Sequence, residues 1–173
     1  MTAHRVPTPE PEHVVNMLRQ IEQSAHDTGW DHPPILLAIF IEPTPRTVER
    51  WRLVARTQWV PPTVWRHHPD GPLGVITDVT DLYSDRPAGY PLDVSGGHNP
   101  HARLVSWAFV YLLRSPLGLD LRVVDAVDLT LTFRRLTRLR GDSKPAIEPD
   151  TSLYEKVLPA TRDPLTGLLR RTR

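Results

Sequence analysis

At 173 residues, 39% hydrophobic and 24% charged, the chain is long enough to bury a core and far from the composition of a disordered segment. Its net charge of +1 hides an asymmetry: residues 134–173 hold 10 Lys and Arg against 5 Asp and Glu, an excess that permits a nucleic-acid partner without demanding one. The absence of cysteine excludes disulfides, thiol nucleophiles and thiolate metal sites, leaving histidine and carboxylates as the available metal ligands.

Met1–Pro11 lacks the apolar stretch of a secretory signal, and no apolar run approaches the roughly 20 residues of a membrane helix. A cytoplasmic protein with no membrane partner is therefore expected. Thr8-Pro9-Glu10 has the composition of a helix start, with threonine as cap and proline at the first helical position. Behind it Val14, Met17, Leu18, Ile21 and Ala25 recur at helical spacing, up to a left-handed cap at Gly29. Pro33-Pro34 forbids continuation, and Ile35–Ile41 reads as a buried strand closed by Pro43 and Pro45. Val48, Trp51, Arg52 and Ala55 predict a second helix, and Pro61–Pro72 is turn-rich.

Leu73–Tyr83 has a third helical pattern, with Asp78, Asp81 and Asp85 as a solvated stripe. A loop containing Gly96-Gly97 comes next. Leu104–Leu113 is apolar on both strand faces, which suits a central strand, with a buried helix as the alternative. Leu121–Phe133 alternates as one long strand or two short ones; the phase breaks at Arg134-Arg135, and Pro145–Pro149 suits a short edge strand. Prolines at 149, 159 and 164 suggest a loose end. The expected assembly is a single α+β domain over residues 1–150, with helices on one face of a mostly antiparallel sheet, and an extended tail over 151–173.

Gly29-Trp30-Asp31-His32-Pro33-Pro34-Ile35-Leu36-Leu37-Ala38, with the helix before it, resembles the opening of small actinobacterial proteins with a Gly-Trp-Asp-x-Pro-Pro signature. The likeness covers about the first 40 residues; Arg122–Asp128 and Leu136–Gly141 are similar to sheet segments of such proteins. It implies the fold and a source with a GC-rich genome, in keeping with 19 prolines and lysine only at 144 and 156, and it brings no activity with it.

His67, His68, His98 and His101 with Asp70 contain enough ligands for a metal, but their spacing does not bring them together on one element, and surface histidines are the plainer reading. Ser95-Gly96-Gly97-His98 admits a nucleophile beside a backbone anion nest, with His98 or His101 as base; a flexible loop is the plainer reading. Asp125 and Asp128 fall on opposite strand faces, so they do not form a catalytic pair. No phosphate loop or dinucleotide fingerprint is present.

The densest basic cluster is Arg134, Arg135, Arg138 and Arg140. As a strand, it places Arg134, Arg138 and Arg140 on one face, able to meet phosphates or a partner's carboxylates; the plainer reading pairs them with Asp142, Glu148 or Asp150. Trp59 and Trp65 flank Pro61-Pro62 and are the candidates for an exposed apolar patch, whereas Trp107 belongs to the core. Together these features predict a non-enzymatic interaction protein without metal or cofactor, binding another protein through Arg134, Arg135, Arg138, Arg140, Trp59 and Trp65. The alternatives are a small metal-dependent or serine hydrolase using the Ser95–His101 loop, and a nucleic-acid-binding protein using Arg134–Arg140 and the C-terminal arginines.

Overall fold

The computed structural model describes residues 7–44, 47–87, 90–97, 99–114, 118–148 and 160–172. Helix α1 (Pro11–Thr28) begins at the second proline of Pro9-Glu10-Pro11, and the Glu10 carbonyl accepts from the N–H groups of His13 and Val14. The sequence places the start two residues earlier, with Thr8 as cap and Pro9 as first helical residue, because both prolines suit a first helical turn. Gly29 ends the helix with φ 116°, a conformation that favours glycine.

Strand β1 (Ile35–Thr44) forms a hairpin with β2 (Thr47–Gln58), pairing Ile39 with Ala55 and Glu42 with Arg52. The second helix expected around Trp51 is thus a strand. Trp51, Leu53 and Ala55 pack toward α1 while Arg52 and Arg56 meet Glu42. A short apolar pattern fits both periods, and pairing along β1 decides for the strand. The turn-rich segment contains a single helical stretch, α2 (Pro62–His67), followed by α3 (Gly71–Ser84) as expected.

Strand β3 (Arg103–Arg114) pairs with β1 on one side and with β4 (Asp120–Asp128) on the other, which explains why its apolar residues run without alternation. The chain then turns into β5 (Phe133–Leu139), so the expected strand over Leu121–Phe133 is the first half of a hairpin. The break lies before Phe133, not at Arg134-Arg135: the Asp128 carboxylate accepts from the N–H groups of Thr130 and Thr132, and Leu131 takes φ 61° in the turn. Strand β6 (Ala146–Glu148) ends the sheet, whose order β2-β1-β3-β4-β5-β6 is antiparallel throughout.

The α+β class and antiparallel sheet agree with expectation; the helices, however, cover both faces rather than one. Leu18, Ile21 and Ala25 of α1 pack on Leu37, Ile39, Val110 and Val124. On the opposite face, Val75, Ile76 and Val79 of α3 join Leu36, Trp107, Phe109 and Val123. With both faces buried, the central strands contribute apolar residues in both directions.

Helix α4 (Arg162–Arg171) completes that second face and corrects the expected extended tail. Its Leu165, Leu168 and Leu169 are fully buried, each burial worth about 1.5–3 kcal/mol. Leu165, Leu168 and Leu169 stand at helical spacing, one stripe of an amphipathic helix, although Pro164 falls in its first turn, where proline is tolerated. Residues 151–159 lie outside those described. No helix of the described residues is long and apolar enough to cross a membrane.

Candidate functional site

The basic cluster of β5 is resolved by its partners. Strand alternation turns Arg138 to the α1 face, where it donates to Glu22 of α1, joined there by Arg122 of β4 at 3.3 Å; all three side chains are buried. Arg135 turns to the other face and grips Asp125 with two hydrogen bonds of 2.6 and 2.8 Å. Asp125 also accepts from the Tyr111 hydroxyl at 2.9 Å and from the Thr161 hydroxyl. Burial pushes the Tyr111 hydroxyl well above its ordinary range, so it stays protonated and donating. Arg134 meets Asp128 at 3.2 Å and Arg140 meets Asp120 at 2.9 Å. Hydrogen bonds from Arg140 and Arg114 hold the Asp120 carboxyl below its usual range.

The expectation of a basic binding face is therefore corrected for Arg135 and Arg138. Arg135 and Arg138 are 8% and 2% exposed and closed to a partner, and Arg134 and Arg140 each face a carboxylate of the same chain. Among the described residues the carboxylates they meet are Glu22, Asp125, Asp128 and Asp120; Asp150 and the Glu148 side chain lie outside the described residues. The motif Gly29-Trp30 belongs to this network: the Gly29 carbonyl accepts from Arg122, whose guanidinium lies 4.3 Å over the Trp30 ring. The carbonyl end of α1 and the aromatic face supply the negative potential that one carboxylate leaves short for two arginines.

The tryptophan pair divides. Trp59 is 70% exposed, whereas Trp65 is 6% exposed and stacks on Phe109 at 5.6 Å, which removes it from the surface. Ser95 accepts from the Thr57 N–H at 2.9 Å, which ties its loop to β2. His98 lies outside the described residues. His68 is fixed by packing: its Nδ1 accepts from the Asp70 N–H and its Nε2 donates to Asp78, in a space that a Cβ on Gly74 would invade at 2.2 Å. His67 Nδ1 donates to the Thr63 carbonyl at 2.9 Å. Among the described residues no three His, Asp or Glu converge as a metal site.

A cleft that sequence reasoning missed lies where α3 and α4 end over the β1–β2 side of the sheet. Tyr83, in the last turn of α3, donates to the Gln58 side chain at 2.6 Å and accepts from the Asp93 N–H at 2.9 Å, which pins helix, strand and loop together. Burial raises its hydroxyl pKa and keeps it neutral. Arg86, two residues past α3, lies 4.4 Å over the Tyr90 ring and 5.5 Å over the Tyr83 ring. Phe40 and Leu104 form part of the sheet-side wall, with Arg56 5.5 Å over Phe40. At the end of α4, Arg171 enters the wall beside Thr172, whose hydroxyl accepts from Trp107 Nε1 at 2.9 Å.

The cleft has a volume of about 180 Å³. Arg56, Arg86 and Arg171 line it, and no carboxylate does so among the described residues. Arg56 is partly neutralised from behind by buried Glu42, at 2.7 Å. Burial pushes the Glu42 carboxyl up, but hydrogen bonds from Arg52, Asn99 and Arg56 together bring it below the usual carboxylate range. Arg86 and Arg171 have no carboxylate within ion-pair distance among the described residues. Guanidinium groups over aromatic rings, next to apolar walls, suit a small anion carrying a flat or apolar body.

No protein family, curated protein or solved structure shows a significant match to this chain.

Proposed function

We propose that this chain is a non-enzymatic interaction protein that receives an anionic group of its partner, a carboxylate or phosphate, in the cleft between the ends of α3 and α4. One observation carries the reading: among the described residues, three arginines and no carboxylate line a concave site whose other walls are largely aromatic and apolar. The polar groups that support the cleft, Tyr83 and Thr172, already both donate and accept within the protein, which favours positioning over proton transfer.

The two alternatives gain no support from the geometry. Arg134, Arg135, Arg138 and Arg140 face carboxylates of the same chain, which weighs against a phosphate-binding strand. The Ser95 hydroxyl serves the Thr57 N–H, and no described histidine bonds to it.

Thermal unfolding in the presence of inorganic phosphate, phenyl phosphate or benzylamine tests the proposal. At ten times the dissociation constant a bound anion adds about 1.4 kcal/mol and raises Tm by roughly 3–6 °C for a domain of this size. Phenyl phosphate should raise Tm most, benzylamine not at all, and the Arg86→Ala/Arg171→Ala variant should lose the rise. An equal rise in that variant would overturn the proposal.

A further inference from the structure

We propose that the outer edge of β2 is a docking site for an extended peptide segment of a partner that alternates apolar and acidic side chains. The sheet order leaves β2 outermost. The direction of its free backbone groups is set by Ser95, whose N–H donates to the Thr57 carbonyl at 2.8 Å while its hydroxyl accepts from the Thr57 N–H at 2.9 Å. Thr57 therefore points away from β1. Alternate residues of an antiparallel strand share that direction, so Ala55, Leu53 and Trp51 aim their N–H and C=O groups at the same edge.

The chain begins to cover this edge and then leaves it. Val94 bridges to Gln58, Ser95 pairs with Thr57, and the backbone turns off through Gly96 and Gly97 at φ 80° and 72°. The strand whose edge is left in this way has 12 residues and no proline, longer than the short or interrupted edges that guard against pairing. Strand addition uses main-chain hydrogen bonds for affinity and flanking pockets for alternate side chains.

Both flanks of this edge have a chemical character. On the α1 face, a groove of about 580 Å³ is lined by Met17, Ile41, Trp51 and Leu53, with Pro9 and His13 at its side. A residue paired opposite Leu53 would place its side chain there, and an apolar one fits. On the other face, Arg52 and Arg56 share the single buried carboxylate of Glu42, leaving an excess positive charge, and the Arg52 side chain is 51% exposed. An acidic side chain on the alternate positions complements it. A second copy of this chain is disfavoured, since antiparallel self-pairing would bring Arg52 and Arg56 toward their own counterparts.

This inference goes beyond the anion cleft, sharing with it Arg56, Val94 and Gly97. The test uses the full chain and a fluorescein-labelled octapeptide alternating valine and glutamate, with a valine–lysine octapeptide as control, read by fluorescence anisotropy. The glutamate peptide should bind and the lysine peptide should not. Ala55→Pro removes an outward donor at an edge position where proline is tolerated, and should weaken binding by about tenfold or more. Arg52→Glu should reverse the preference between the two peptides, an outcome that loss of folding would not imitate. Arg86→Ala/Arg171→Ala should bind the peptide as the parent does, so failure of the cleft and failure of the edge read out separately. The proposal is overturned by absent binding, by equal binding of both peptides, by Ala55→Pro and Arg52→Glu both behaving as the parent, or by sedimentation showing a dimer that Ala55→Pro dissociates.

Discussion

Glu22 of α1 and Arg122 of β4, 100 residues apart in sequence, meet in a buried ion pair with Nη1 and Oε1 separated by 3.3 Å. Arg138 donates to the second oxygen of the same carboxylate, so one acid holds two guanidinium groups under α1. Burial lowers the Arg122 pKa, opposed by its hydrogen bond to Glu22. Removing the carboxylate would leave both cations without their shared anion.

Glu22→Ala should therefore destabilise the fold by about 3–5 kcal/mol, measured by urea denaturation. Replacing all three partners with apolar residues, as Glu22→Leu with Arg122→Met and Arg138→Met, should be far milder, because no buried charge is left unpaired. A triple variant less stable than Glu22→Ala would show that the network does more than neutralise itself.

Leu168 of α4 is fully buried between the helix and the sheet. Leu168→Ala should cost about 2–5 kcal/mol and lower Tm by on the order of 10 °C. Calorimetry showing an unchanged Tm would return residues 160–172 to the status of a loose tail.

These two sites show what the sequence displays and what it conceals. Helix α1 was legible because it keeps one period over its length, and strands β1 and β3 because each is a short apolar run bounded by prolines. Strand β2 was not, because Trp51 and Ala55 satisfy a helical spacing by coincidence and only pairing with β1 separates the readings. Helix α4 was concealed by Pro159 and Pro164, although Leu165, Leu168 and Leu169 carry a helical stripe. For the arginines, position within β5 was legible and partnership was not: Glu22 and Asp125 reach Arg138 and Arg135 only through the packing of α1 and the register of β4 on β5. The cleft was the least legible feature, since Phe40, Arg56, the stretch from Tyr83 through Arg86 to Tyr90, and Arg171 come together from four segments with no shared motif.

Glu42 gives the fold a pH signature. Its folded-state pKa is depressed, so its stabilising contribution is complete above the ordinary carboxylate pKa of about 4.3 and is lost as pH falls through the lower folded value. Glu42→Gln should cost about 1–2 kcal/mol near neutral pH, with the gap to the parent closing below about pH 4. Urea midpoints across an acid series check this; a gap that stays constant down to pH 3 would contradict it.

The most direct measurement is calorimetric titration of phenyl phosphate into the parent chain, the Arg86→Ala/Arg171→Ala variant and the Arg134→Ala/Arg140→Ala variant. The cleft assignment predicts saturable binding in the parent, retained in the β5 variant and weakened by about tenfold or more when Arg86 and Arg171 are removed. Binding that survives the loss of Arg86 and Arg171 but disappears with Arg134 and Arg140 would place the anion on the sheet and contradict the cleft assignment.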